Sequence, residues 1–497
     1  TRDEGGVMLP DPQGGWLSDA VSCWDAGRHA GAVMRAKDFI ASGDIYQANI
    51  SMEAEVRVLG HPLAAYARLR GASRAGYGGV MFTGTHWLLS ASPELFFTLE
   101  DGMLTARPMK GTAARQGSDV ADAAAARHLA SAAKERAENL MIVDLLRNDL
   151  ARVAVAGSVS VPSLFDVETY PTVHQMTSSV HAQIAEGLGP VDVLRALFPC
   201  GSVTGAPKIR AMEVIAELEG RTRGPYTGSM GWIGGDAAGF NVLIRTLVLA
   251  EGDDSARLGL GSGVVADSNA ANEWRECLAK GAFVGSQARV PDLIETMRFD
   301  PYDGVERLTL HLERLSASAR TFGIPFDRHA VRNELQGATF ALNAPSRVRR
   351  ALGPEGGTAI ETGPLPRSPE EPVAVALMPL PVHPSDYRLR HKTSSRTFHD
   401  AARRGAGTFE VAFERPDGLL SEGSFTNIFV ERDGRLLTPP ASLGLLPGIL
   451  RRSLIEDGKA QEAPLTRVDL AGGFLIGNAL RGLMRAHLVD RSGGTAL

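Results

Sequence analysis

The chain has 497 residues, 44% hydrophobic and 22% charged, with a formal net charge of −5 at pH 7. That length exceeds one ordinary core and predicts two or more domains. The basic residues cluster only briefly, at Arg347-Val348-Arg349-Arg350 and Arg451-Arg452, so the concentrated positive field of a nucleic-acid groove is excluded. No apolar run approaches the roughly 20 residues of a bilayer span, and residues 1–25 lack a signal-peptide pattern. Three cysteines (Cys23, Cys200, Cys277) predict a reducing compartment without a disulfide framework, and the chain reads as cytoplasmic. It opens on Thr1 rather than Met, which is consistent with a fragment.

Residues 1–26 read as an N-terminal remnant, acidic and Gly-rich. From 27 to 287 apolar strand-like segments alternate with Ala-rich helices. Val120 to Val153 reads as one long helical stretch, broken at most once, in which Glu135 and Glu138 are three apart and share a face. The segment Gly201 to Lys208 is Gly-rich and ends in Lys, but Gly-x-x-x-Gly-Ala-Pro-Lys is not a P-loop. Gly259-Leu260-Gly261-Ser262-Gly263 likewise lacks the spacing and acidic partner of a dinucleotide site. A helix over about Asn269 to Phe283 carries Glu273, Glu276 and Lys280 at i, i+3 and i+7, on one face. Two Glu-x-x-Glu pairs suit a hard cation such as Mg²⁺, which takes oxygen ligands. Spacing alone does not carry that reading, because an arbitrary Glu-x-x-Glu pair is far more often solvated helix surface.

A seam is predicted at Gln287 to Asp292, where a Pro punctuates a short join, and residues 292–497 form the second domain. It opens with a strand over Asp292 to Phe299 and a helix carrying His311-Leu312-Glu313-Arg314-Leu315. The Pro-rich stretch Gly363 to Pro372 is expected to link two lobes of this domain. No internal repeat recurs at a fixed period.

Seven segments, in order, resemble the family of chorismate-utilising enzymes that includes anthranilate synthase large subunits, aminodeoxychorismate synthases and isochorismate synthases. They are Gly43-Asp44-Ile45-Tyr46-Gln47-Ala48-Asn49, Ser92-Pro93-Glu94, Arg107-Pro108-Met109-Lys110-Gly111-Thr112, Glu138 to Asp149, Pro171-Thr172-Val173-His174, Phe198 to Lys208, and Gly261-Ser262-Gly263 with Glu273-x-x-Glu276. The resemblance implies that Glu138 and Glu273 hold Mg²⁺, with Glu135 and Glu276 as flanking acids, and that the ion grips the ring carboxylate of chorismate. It implies Glu94 as general acid for the departing hydroxyl, which requires a raised pKa. Tyr226, Arg245 and the backbone around Gly261 and Gly263 would take the pyruvyl carboxylate. His174, Thr204 and Lys280 line the same site in relatives.

Two positions choose among the branches. Relatives that add water carry Lys where this chain has Gln47, so Gln47 disfavours water and favours ammonia as nucleophile. Aminodeoxychorismate synthases resemble this chain in having Lys110, where anthranilate synthases have Ala. That Lys attacks C2 before ammonia enters at C4, which requires a depressed pKa. None of the three cysteines has the setting of a glutaminase nucleophile, so ammonia is expected from a separate glutamine amidotransferase subunit or from free ammonia. The family usually carries a substantial further stretch before the Asp-Ile-Tyr-Gln motif. Here about 40 residues precede it, as in a truncated chain or a compact variant.

Residues 292–497 resemble the branched-chain-aminotransferase-like, fold-type IV class of pyridoxal-phosphate enzymes, which includes aminodeoxychorismate lyase. The matching pieces are Leu293 to Arg298, His311 to Leu315, Lys392-Thr393-x-x-Arg396, Leu420 to Phe429, Leu445 to Arg451 and Gly477-Asn478-Ala479. By that resemblance Lys392 anchors pyridoxal 5'-phosphate and shuttles the proton, and Glu422 pairs with the pyridine nitrogen. Arg314 grips the phosphate with the backbone of Gly448 and Ile449, and Asn478 and Ala479 add contacts. Leu450 stands where relatives often have Thr, which removes one phosphate hydrogen bond.

The expected architecture is α+β: a layered β-sandwich with helices, then a two-lobed pyridoxal-phosphate domain. The expected function is conversion of chorismate to 4-aminobenzoate, a folate precursor, in two steps. Fusion favours a lyase over an aminotransferase in the second domain, an argument from association. Two alternatives stay open: an anthranilate synthase large subunit fused to an aminotransferase, and an inactive truncated partner that binds the amidotransferase. The second domain's relatives are commonly dimers, so a homodimer is consistent with that class.

Overall fold

The computed structural model describes residues 9–73, 75–169, 173–285 and 290–489. Much of the seam at Gln287 to Asp292 lies outside these residues, as do Pro171 and Thr172. The described residues fall into two compact units. The first is drawn from Leu17–Val58 and Ala65–Ala288, and the second from Thr1–Trp16, Leu59–Ala64 and Arg289–Leu497. Both mix helices with mainly antiparallel sheets, the α+β class expected.

The first unit has two sheets. In the eight-stranded one, Gln47–Leu59 pairs antiparallel with the glycine-rich strand Ser255–Val264 in a register running from Ala48 opposite Val264 to Arg57 opposite Ser255. Val21–Ser22, ahead of residue 27, also pairs with Gln47–Leu59. The seven-stranded sheet runs Ser229–Gly234, Ala237–Val242, Leu95–Glu100, Met103–Ala106, Val173–Gln183 and Met109–Ala114, with Ser160–Thr169 also on Val173–Gln183.

The long helical stretch is broken once. The Ser118 hydroxyl caps Asp119–Ser131, extended Ala132 ends it, and Ala133–Ala151 begins afresh. The second of these helices buries Asn139, Ile142, Val143, Leu146, Asp149 and Leu150, a stripe at three- and four-residue spacing. Its apolar members join Phe96, Phe97, Leu104, Val180 and Leu197 in one core. Each fully buried Leu or Val there contributes about 1.5–3 kcal/mol. Lys208, the residue that mimics a P-loop, instead holds Asp149 at 2.6 Å and the Leu197 carbonyl at 2.9 Å. The helix Ala270–Gly281 starts where the Asn269 side chain accepts from the N–H groups of Ala271 and Asn272.

The second unit has two lobes. One is a four-stranded sheet (Gly304–Val305, Leu293–Asp300, Ser346–Leu352, Thr358–Pro364) packed with the helices Leu308–Phe322 and Arg328–Thr339 around Met297, Leu312, Leu335 and Val348. The Pro-rich stretch crosses to the other lobe, whose eight-stranded sheet is entered at Val373–Pro379, parallel to both of its neighbours. Lys392 follows the short helix Tyr387–Arg390, where its carbonyl accepts from the Ile294 N–H at 2.8 Å. The unit also takes in residues 9–16: Asp11 and Gln13 accept hydrogen bonds from buried Arg388, and Trp16 packs edge-on against Phe322 at 5.1 Å.

Candidate active sites

In the first unit a cavity of about 510 Å³ lies between the two sheets and both Glu-bearing helices. The helical spacing delivers its acids as expected: Glu135 and Glu138 from one helix, Glu273 and Glu276 from the other, all line it. Burial, then the charges of Glu135 and Glu276, push Glu138 above the usual carboxylate range, although Lys110 and Lys134 oppose this. Glu273 is only 7% exposed, and its Oε2 has no hydrogen-bond partner among the described residues. Among those residues no three acidic, His or Cys groups converge as a preformed cage. An orphaned buried carboxylate oxygen beside like charges nevertheless fits a hard divalent cation whose remaining ligands are water or substrate oxygens.

Glu94 and Lys110 meet on Ser202. The Ser202 hydroxyl donates to Glu94 Oε1 at 2.7 Å, and Lys110 Nζ donates to the Ser202 carbonyl at 3.1 Å. Burial raises the pKa of Glu94. Burial and the nearby Lys280 ammonium lower that of Lys110. The two shifts run toward a protonated acid and a neutral amine. Burial also opposes the charge on Lys280, but Glu276 at 2.8 Å more than offsets it and the net shift is upward.

The glycines explain the opposite wall. A Cβ at Gly259 would sit 2.1 Å from the Tyr226 ring, and one at Gly261 2.9 Å from its hydroxyl. Tyr226 therefore lies flat on a strand stripped of side chains on that face, and Lys280 donates to the Gly261 carbonyl at 2.9 Å. Arg245 adopts a positive φ of 49° and faces the cavity, with no carboxylate at ion-pair distance among the described residues. Burial lowers its pKa, the state an incoming carboxylate would relieve.

Three expected residues do not reach the cavity wall. Gln47 is 1% exposed and leaves both amide atoms without partners among the described residues, while a Cβ at Gly263 would lie 3.2 Å from its Nε2 and 3.8 Å from Lys110 Nζ. His174 bonds Asp122 at 2.9 Å and Thr169 at 3.0 Å, while its neighbours Val173 and Gln175 line the site. The hydroxyl of Thr204 donates to the carbonyls of Cys200 and Gly201. Sequence reasoning gave no role to Ser202, although it stands inside the Phe198 to Lys208 motif.

In the second unit a cavity of about 380 Å³ is lined by Lys392, Glu422, Arg314, Gly448, Ile449, Asn478 and Ala479, every residue expected there. Burial, then Arg396 and Arg314, lower Lys392 to about 7. Burial raises Glu422 to about 8, against the hydrogen bond it accepts from the Leu446 N–H at 3.1 Å. Arg314 is already forked onto Glu295, at 2.9 and 2.7 Å, and also donates to the Pro447 carbonyl. His311 Nδ1 lies 2.6 Å from the same carboxylate. Burial opposes the charge on Glu295, but Arg314 and His311 hold it down at about 2. A guanidinium has five N–H groups, so Arg314 keeps donors for a second anion.

Gly448 precedes the helix Ile449–Glu456 and has no room for a side chain, since a Cβ would meet Asn427 Oδ1 at 1.8 Å. Asn478 spends its side chain on the Phe425 carbonyl and the N–H groups of Leu480 and Arg481. Its part is therefore to shape the turn. A neutral buried lysine, a buried carboxyl and a bare helix N-terminus beside arginines in one cavity fit pyridoxal phosphate.

Comparison with known proteins follows the same division except at residues 9–16 and 59–64, which fall within the first family match. Residues 9–285 match the family described as chorismate binding enzyme, and residues 292–489 match amino-transferase class IV. The chain is 41% identical over 266 residues to aminodeoxychorismate synthase component 1 of Salmonella typhimurium, covering 53% of this chain and 57% of that protein. It is 41% identical over 250 residues to anthranilate synthase component 1 of Thermus thermophilus, covering 50% and 54%. Anthranilate synthase component I from Streptococcus pneumoniae is a solved neighbour at 33% identity and a TM-score of 0.50, covering 54% of this chain and 60% of that one. The chain spans about half the length of the curated relatives it matches. No described helix is long and apolar enough to cross a membrane.

Proposed function

The chain belongs to the chorismate binding enzyme family and continues into an amino-transferase class IV domain; from that premise we propose that it converts chorismate to 4-aminobenzoate in two steps, at its two cavities. The observation that carries the first step is Lys110, its pKa depressed, linked through the carbonyl and hydroxyl of Ser202 to Glu94 Oε1. Lys110 Nζ attacks C2 of chorismate as the ring double bonds shift and the C4 hydroxyl leaves, taking the Glu94 proton to depart as water. Ammonia then adds at C4 and expels the Lys110 amine, giving 4-amino-4-deoxychorismate. Overall, chorismate plus ammonia yields the amino product plus water. Arg245 and Tyr226 hold the pyruvyl carboxylate. Glu138, Glu273, Glu135 and Glu276 would hold Mg²⁺, which neutralises charge on the ring carboxylate. A relative is named as component 1, and a separate amidotransferase subunit is the proposed source of ammonia.

In the second step 4-amino-4-deoxychorismate loses pyruvate and its ring becomes aromatic. Pyridoxal phosphate would supply the electron sink, held by Lys392, Glu422, Arg314 and the backbone at Gly448 and Ile449. Lys392, neutral above about pH 7, takes the C4 proton. The reading of this domain as a lyase rests on its being joined to a domain that makes the substrate.

The test is incubation with chorismate, Mg²⁺, ammonium and pyridoxal phosphate, with the products separated by chromatography. 4-Aminobenzoate and pyruvate are expected. Anthranilate would overturn the role of Lys110 and favour the reading as an anthranilate synthase joined to an aminotransferase. Lys110→Ala is expected to abolish 4-amino-4-deoxychorismate formation. An unchanged rate would remove the lysine from the mechanism.

A further inference from the structure

The cavity of the second unit contains more positive charge than its cofactor requires. Arg314 is neutralised by Glu295, whereas Arg396, Arg403 and Arg481 line the cavity with no carboxylate at ion-pair distance among the described residues. Among the described residues the only carboxyl on the wall is Glu422, which burial holds toward its neutral form. One phosphate at the Gly448 helix end, close to Arg314, leaves the other cations unanswered.

Two of them are built into a common support. The Arg403 guanidinium lies over the Phe425 ring at 5.1 Å from its centroid, and that of Arg481 over the Phe409 ring at 5.7 Å. The two rings pack against each other, edge to face, with centroids 5.8 Å apart. The assembly is pinned from behind: Asn478 donates to the Phe425 carbonyl and accepts from the Arg481 N–H, and Arg481 donates to the Arg367 carbonyl at 2.9 Å. All four side chains line the cavity with Lys392. A guanidinium stacked on a ring loses rotational freedom and keeps its edge donors for a planar, bidentate acceptor.

The geometry points to Arg403 and Arg481, seated on the packed Phe425 and Phe409 rings, as a paired carboxylate subsite that selects a rigid cyclic dicarboxylate substrate. This rests on the reading of the second cavity as a lyase site, whose substrate has one carboxylate on the ring and one on the ether arm. Arg403 comes from the helix Thr397–Ala406 and Arg481 from the turn before Gly482–Leu488. The two cations are thus fixed by different elements, which favours a ligand whose own carboxylates are held apart. A flexible amino acid would lose more conformational freedom in spanning them.

The test is equilibrium binding of inert probes to the pyridoxal-phosphate-loaded chain: benzene-1,3-dicarboxylate, benzoate and glutarate, with Kd read by calorimetry. The aromatic dicarboxylate is expected to bind at least about tenfold more tightly than either of the others, the scale of one further charge-assisted hydrogen bond. Arg403→Ala and Arg481→Ala are each expected to erase that preference while leaving the visible absorbance of the bound cofactor unchanged. Arg403→Lys and Arg481→Lys are expected to recover part of it and serve as controls for folding. Equal affinities in the parent chain, or a preference that survives both alanine substitutions, would overturn the subsite. The lyase reading is scored separately by supplying 4-amino-4-deoxychorismate directly. If no 4-aminobenzoate forms while the Arg-dependent preference persists, that reading fails and the subsite stands.

Discussion

Ser202 is the residue on which the proposed amination turns, because one side chain and one carbonyl bring an acid and an amine to the same point. The proposed step needs Glu94 protonated and Lys110 neutral. The rate should therefore fall at low pH as the lysine gains its proton and at high pH as the glutamic acid loses its own. The Ser202 hydroxyl stabilises the ionised form of Glu94. Ser202→Ala should accordingly raise that pKa further and move the alkaline limb of kcat/KM to higher pH. A profile that keeps its alkaline limb in place would show that Glu94 does not set it. The roles proposed for Glu94 and Lys110 come from family motifs, but their meeting could not be read there, since their partner is about a hundred positions along the chain. Gln47, His174 and Thr204 show the converse. Each stands in a matching motif, yet local hydrogen bonds take up the His174 ring and the Thr204 hydroxyl, and burial covers the Gln47 amide.

Helix periodicity was the most legible feature. The pairs Glu135 with Glu138 and Glu273 with Glu276 were assigned to shared faces by spacing alone, and all four face one cavity. The single break in the long helical stretch was also anticipated, although nothing in the sequence singles out Ala132 as the breaking residue. The strand Ser255–Val264 was harder to read, because its glycines imitate a nucleotide loop. Their alternation instead clears one face for Tyr226. Gly259→Ala should drive the Tyr226 ring off that face and raise KM for chorismate by about tenfold or more, the scale of one lost charge-assisted contact. The change should leave the second reaction untouched. An unaltered KM would show that the ring can shift without consequence. The arginine and phenylalanine cluster of the second cavity left no sequence signal, since Arg403, Phe409, Phe425 and Arg481 come from separate elements.

At the scale of the whole molecule, acid sensitivity should centre on the buried group around Glu295. Its folded pKa is depressed to about 2 from 4.5, so the unfolded chain binds the extra proton between those values. The stabilisation, up to about 3 kcal/mol, is therefore fully present above pH 4.5 and is lost as pH falls toward 2. Glu295→Gln would leave Arg314 buried without its counter-charge and should destabilise the second unit by about 3–5 kcal/mol at neutral pH. It should also flatten the dependence of the unfolding midpoint on pH below 4.5. A variant with the parent's acid profile would assign that sensitivity elsewhere. The division into two domains was legible from length and from two ordered sets of motifs. The membership of residues 9–16 was not, because the Arg388 and Phe322 that hold them are far along the chain.

Those few residues impose an order on synthesis. Asp11, Gln13 and Trp16 leave the ribosome before any of the first unit, yet Phe322 and Arg388 emerge only after nearly all of it. While the first unit folds as its own segment is completed, the leading strip has nowhere native to go and must stay available. Deleting residues 9–16 would strip Arg388 of two acceptors and uncover Phe322, and a lowered unfolding midpoint of the second unit with the first unit's unchanged would be its signature.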